Sequence, residues 1–146
     1  MRKIIITVLC TAFIMGSFSV AYGSQPVSVT VNGKPVVTET PAVIVSDRTM
    51  LPFRAVFNAL GVADESIRWN PNSRSIEVWA QKKYIFLAIG SNFALINENA
   101  SDNMVQLDAP PYIEMGRTMV PVRFVAEALG ANVQWQEKSR TVIITK

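Results

Sequence analysis

One fourteen-residue pattern occurs twice in this chain. Arg48 to Gly61 reads RTMLPFRAVFNALG and Arg117 to Gly130 reads RTMVPVRFVAEALG, identical at nine of fourteen positions. A duplicated segment implies a duplicated supersecondary unit, which restricts the fold more than composition does. The register persists beyond the motif. Trp69 and Ser73-Arg74 recur as Trp135 and Ser139-Arg140, and Ile76 and Val78 recur as Val142 and Ile144. Upstream, Pro41 answers to Pro110 and, more loosely, Val31-Asn32 to Ile96-Asn97. Repeat one covers about residues 27–80 and repeat two about 93–146. A unit of about 60 residues buries too little surface to be comfortable without disulfides, whereas about 120 residues can make one respectable core. The repeats are therefore expected to share one domain over residues 24–146.

Each repeat predicts one short helix. Pro52 and Pro121 suit a first helical turn, where a missing N–H costs nothing. Phe53, Val56, Phe57 and Leu60 fall at i, i+3, i+4 and i+7, as do Val122, Val125, Ala126 and Leu129. Gly61 and Gly130 follow as left-handed caps. Helices this short are marginal alone and must lean on β-structure. Val27, Val29 and Val31 alternate before the turn dipeptide Asn32-Gly33, Val36-Val37 returns, and Ala42 to Val45 is a further apolar run. Between the helices come five short strands: Ile67 to Trp69, Arg74 to Ala80, Tyr84 to Ile89, Phe93 to Ile96 and Met104 to Leu107. Val133 to Trp135 and Thr141 to Thr145 close the chain as a hairpin. The expected fold is α+β: an antiparallel meander of about five short strands, two short helices packed on one face, and terminal β-hairpins.

Residues 1–23 read as a removable export signal. Arg2 and Lys3 precede an apolar run from Ile4 to Val20, and Ala21-Tyr22-Gly23 places small residues where a signal peptidase reads. The only cysteine, Cys10, lies in that run and leaves with it, so no disulfide is expected. The chain holds 14 basic and 11 acidic residues, and loss of Arg2 and Lys3 brings these nearly to balance. That leaves no field suited to nucleic acid or an anionic membrane. No later stretch approaches the roughly 18 apolar residues of a membrane span. The expected residence is secreted or cell-envelope associated, extracellular or periplasmic. The count of histidines is zero, which removes Ser-His and Cys-His nucleophiles and His-ligated zinc or copper.

The doubled pattern resembles the copper amine oxidase N-terminal-like domain of exported bacterial proteins. The residues that carry it are Val31-Asn32-Gly33-Lys34, Arg48-Thr49-Met50-Leu51-Pro52-Phe53-Arg54, Ala59-Leu60-Gly61 and Trp69, with their second copies through Glu127-Ala128-Leu129-Gly130 and Trp135. In the second copy Ile96-Asn97-Glu98-Asn99 replaces the Asn-Gly turn. The resemblance implies a stalk-type module rather than a catalytic one, with copper and its tyrosine-derived quinone in another domain. Neither Tyr84 nor Tyr112 sits in an Asn-Tyr-Asp/Glu context like that cofactor motif, so no amine oxidase activity and no cofactor are expected.

Several residues bear a functional reading beside a structural one. Arg48 with Arg54, or Arg117 with Arg123, could form an anion pocket, but a guanidinium can equally lock helix to sheet through carboxylates or strand carbonyls, and this is the expectation. Arg123 could pair with Glu127 at i+4. Trp69 and Trp135 recur with the fold motif and are expected to pack. Trp79 has no counterpart, and with Tyr84 or Tyr112 it is the candidate surface for stacking sugar rings. The oxygen-rich segment at residues 97–103 lacks the order of a calcium loop and reads as a solvated connector, with Asn99-Ala100-Ser101 a glycosylation pattern. Asp64-Glu65 is an acid pair poorly placed to flank a glycosidic bond. The expected function is a non-catalytic exported cell-envelope module acting by protein contact or self-association, through edges left open at both chain ends unless these close on each other. The alternative is a cell-wall glycan or polysaccharide binder; a carboxylate-only hydrolase is a distant third.

Overall fold

The computed structural model describes residues 26–98 and 101–146. The expected signal at residues 1–23, with Cys10, lies outside the described residues, as do Asn99 and Ala100. In chain order, β1 (Ser28–Val31) and β2 (Lys34–Pro35) form a hairpin, then β3 (Val43–Val45) and β4 (Arg48–Pro52) form another and lead into α1 (Phe53–Ala59). Next come β5 (Ile67–Asn70), β6 (Ser75–Ala80), β7 (Lys83–Ala88), β8 (Phe93–Glu98) and β9 (Ser101–Gln106). β10 (Tyr112–Glu114), β11 (Arg117–Pro121), α2 (Val122–Ala128), β12 (Asn132–Gln136) and β13 (Thr141–Thr145) complete the chain. The fold is α+β, mostly sheet with two helices.

Three sheets result, ordered β12-β13-β1-β2, β10-β11-β4-β3 and β5-β6-β7-β8-β9. The third is a meander, each strand antiparallel to the next. Its period-two pattern turns Ile76, Val78, Ile85, Leu87 and Ala94 inward, where all are buried. They join residues of both helices, both copies of the motif and both chain ends in a single apolar cluster.

Both motif copies fold alike: a five-residue strand ending in proline, then a seven-residue helix. Sequence reasoning missed these strands. β4 and β11 pair antiparallel, with Met50 opposite Pro121 and Pro52 opposite Met119. This corrects the placement of the prolines. Pro52 (ψ 130°) and Pro121 (ψ 117°) are still extended because each is the last rung of that ladder, so the helices begin one residue later. At the far ends Gly61 and Gly130 adopt φ of +87° and +79°. Their N–H groups donate to Asn58 and Glu127 carbonyls, while Val62 and Ala131 donate to Phe57 and Ala126. This is the Schellman closure, and only a residue free of the left-handed penalty enters it without strain.

The chain ends do close on each other, which overturns the expectation of open terminal edges. β1 lies parallel to β13, Ser28 opposite Thr141 through Val31 opposite Ile144. Both strands bury the same phase, Val29 and Val31 beside Val142 and Ile144, so one apolar face holds them together. Asn32 Oδ1 accepts from the Lys146 N–H at 2.9 Å, and Lys146 Nζ donates to the Leu60 carbonyl at 3.0 Å. The described part of the segment at residues 97–103 is also not a connector: it belongs to the β8–β9 hairpin, with Asn97 opposite Asp102 and hydrogen-bonded to it. Among the described residues no helix is long and apolar enough to cross a membrane.

Candidate functional site

The four motif arginines all have partners, and all stay substantially exposed. Arg48 donates through Nε to Asp108 Oδ2 at 2.8 Å and through Nη1 to the Asp47 carbonyl at 3.1 Å. Arg117 meets Glu39 at 2.9 Å, and Arg54 meets Asp64 at 3.3 Å. Arg123 reaches Glu127 at 3.4 Å and the Val133 carbonyl of β12 at 3.3 Å. Their side chains are 40, 56, 47 and 48% exposed, so each ion pair is worth about 0–1 kcal/mol, too little for the fold to depend on it.

The arginines are not grouped as the sequence suggested. Arg48 does not share a cleft with Arg54, nor Arg117 with Arg123. Because β4 and β11 lie side by side, the hairpin of each repeat faces the helix of the other. One cleft, of about 410 Å³, takes Ile44, Arg48 and Thr49 from the first repeat and Pro121, Arg123 and Trp135 from the second. The other, of about 700 Å³, takes Ile113, Arg117 and Thr118 from the second repeat and Pro52, Arg54 and Trp69 from the first. Every one of these residues in one cleft has its repeat counterpart in the other.

The tryptophans differ in setting. Trp69 is half-buried and packs on the core, whereas Trp135 is 36% exposed and its indole N–H donates to Glu137. Packing therefore describes Trp69 and fails for Trp135. The reason lies in the strands: β5 is sheltered by the core, while β12 has every residue but Val133 exposed.

Trp79 is 46% exposed and leans on Tyr84, ring centroids 5.3 Å apart and tilted by 45°. Both belong to the outer face of the meander. The strand register places Phe86, Leu95, Phe93 and Met104 on that same face, the last two 51 and 72% exposed. Tyr112 is not part of this surface. It sits on β10 in another sheet, with its hydroxyl donating to Glu114 at 2.8 Å. Partial burial first, then that carboxylate, pushes the Tyr112 phenol up to about 12. Tyr84 is also raised, by burial and then by Glu77. The cross-cleft pairing and the outer apolar face were both hidden from sequence reasoning, since each depends on which strands become neighbours.

The acidic residues are dispersed. Asp64 begins a 3-10 turn (Asp64–Ser66), not a strand, and accepts from both Arg54 and Asn58. Glu98 pairs with Lys83 at 3.4 Å. Among the described residues there is no group of three or more metal-ligating acids.

No curated protein and no solved structure matches the chain. Residues 30–144 match the family described as copper amine oxidase N-terminal domain, a span that includes both motif copies and both clefts. That domain is a non-catalytic accessory domain of the oxidases, and the chain belongs to the copper amine oxidase N-terminal domain family.

Proposed function

We propose that this protein is a non-catalytic, exported cell-envelope module that works by protein contact, self-association included. The observation that carries this reading is the outer face of the five-stranded sheet. Trp79, Tyr84, Phe86, Phe93, Leu95 and Met104 form a run of apolar side chains across β6 to β9, bordered by Glu77, Asn97, Asp102 and Gln106. An antiparallel sheet usually leaves such a face polar, and a contiguous exposed apolar patch marks a surface that another protein covers. The outward aromatics are suited to that role, since Trp and Tyr supply large contact area with a polar tip. A second copy is the simplest occupant, sheet face against sheet face, and it replaces the terminal edges as the route to association.

Sedimentation velocity over a wide concentration range tests the proposal. The expected result is a dimer that Phe93→Lys with Met104→Lys converts to a monomer without loss of secondary structure. A strict monomer at every concentration, together with no envelope protein retained by the wild-type surface and lost by the variant, would overturn it.

A further inference from the structure

We propose that β9 is a docking edge for the β9 strand of a second copy, the two running antiparallel so that two five-stranded sheets continue into one. The inference rests on the self-association reading and adds a second contact to it, along the sheet edge rather than on the sheet face. The first argument is which edges the fold protects. Among the described residues six strands end the three sheets. β2 has two residues, one of them proline, and β3 and β10 have three each. β5 has four and carries Arg68. On β12 the Val133 carbonyl is taken by Arg123 of α2. Short length, proline and cations are the usual guards against strand addition. β9 has none of them: it is six residues long, holds no lysine, arginine or proline, and is exposed everywhere except at half-buried Val105. Its one charge, Asp102, is hydrogen-bonded back to Asn97 of β8.

The second argument is where the backbone of β9 points. The Leu107 N–H donates to the Asn92 carbonyl at 2.6 Å, one rung beyond Phe93 opposite Gln106. Alternate residues of an antiparallel strand bond to opposite sides, so Val105 and Asn103 also bond toward β8. Asp102, Met104 and Gln106 therefore turn their N–H and C=O groups to the open edge, where no backbone partner lies among the described residues.

The third argument is that this edge complements itself. With Met104 opposite Met104 of the second copy, Asp102 meets Gln106, and every outward N–H and C=O on these three residues finds a partner. No like charges oppose one another. A centre at Asn103 would instead set Asp102 against Met104, and one at Val105 would set it against Asp108. The register centred on Met104 also keeps both outer faces on one side, so the run of Phe93, Leu95 and Met104 continues across the join. A six-residue strand falls well short of the roughly 1,000 Å² that a lasting interface needs, so the edge links copies already paired by their faces.

The experiment uses the chain from residue 24 onward, which lacks Cys10, as two single-cysteine proteins, Asn103→Cys and Val105→Cys. In the proposed register these positions oppose each other across the join as a non-hydrogen-bonded pair, close enough for a disulfide. Both lie on the side opposite the outer face, beside Ile96 and Ala94, so face-to-face packing cannot link them. Each is two residues out of step with its own copy, too far to bridge. Mixed and oxidised with glutathione disulfide, the two proteins should yield the mixed dimer at least about fivefold over either self-linked dimer, as resolved by mass. Gln106→Pro, placed in both, should abolish the link, because proline lacks only an N–H that faced the open edge and β8 keeps its pairing. Should that variant misfold, Gln106→Asp sets a second carboxylate opposite Asp102 and should cut the link at least about fivefold. Absence of the mixed disulfide, self-linked dimers in equal yield, or a yield unmoved by either Gln106 variant would each overturn the proposal. The face reading is scored apart: Gln106→Pro should leave the sedimentation dimer intact, whereas Phe93→Lys should remove that dimer and spare the mixed disulfide at high concentration.

Discussion

Tyr112 shows how much one residue's setting can change its chemistry. Its phenol is partly withdrawn from water and donates to Glu114, a carboxylate that already carries the charge the phenolate would add. Both effects favour the neutral form, burial most, and the folded value of about 12 stands above the ordinary 10.0. The sign of the linkage follows. A group whose value is raised on folding contributes fully below its unfolded value and loses that contribution as pH rises through the folded one. Stability should therefore fall between about pH 10 and 12, and Tyr112→Phe should remove that part of the loss. Ultraviolet difference absorbance during an alkaline titration checks it: the transition near 12 should vanish in Tyr112→Phe and move down in Glu114→Gln. A Tyr112 that titrates at its ordinary value would refute the assignment.

At the scale of elements, turn chemistry decides what sequence reasoning could see. The Asn32-Gly33 hairpin was legible because its residues favour positive φ, and both helices were legible through the i, i+3, i+4, i+7 spacing and the closing glycines. The meander was legible as well, from alternating apolar residues between polar breaks. The sharp turn from β6 to β7 carried no such signal. Gln81 and Lys82 take φ of 54° and 62°, a mirror-image turn made from residues that dislike it. The hairpin holds because Trp79 opposite Tyr84 and Val78 opposite Ile85 fix the strands, so tertiary pairing overrides local preference. A left-handed residue other than glycine costs about 1–2 kcal/mol, part of which glycine returns through its freer unfolded chain. Lys82→Gly should thus stabilise the protein by about 0.5–1 kcal/mol, read as a higher denaturant midpoint at unchanged slope. A lower midpoint would mean that the Lys82 side chain contributes more than the backbone strain costs. The crossed clefts stayed illegible for a different reason: spacing reveals that Arg48 and Arg117 are equivalent, but only the β4–β11 ladder reveals that each faces the other repeat's helix.

At the scale of the whole molecule, the two halves are interleaved rather than joined end to end. β1 finds its partner in β13, β4 finds its partner in β11, and Leu51, Val56 and Phe57 share one cluster with Val120, Val125 and Ile144. A fragment that stops after Gly90 loses both partner strands and the second helix, exposing Val29, Val31 and Leu51. It should therefore be unfolded alone, although it contains a full copy of the motif. The intact chain should instead unfold in one transition, reported alike by backbone dichroism and tryptophan fluorescence. Ile144, wholly buried in β13, tests the coupling from the far end. Ile144→Ala should cost about 2–5 kcal/mol and lower both signals together, since the cavity opens beneath the parallel junction with β1. Two separate transitions in the intact chain, or cooperative unfolding of the fragment ending at Gly90, would show that each repeat folds by itself. The clefts would then be formed by docking two finished units, and their arginines would be held across a boundary able to open.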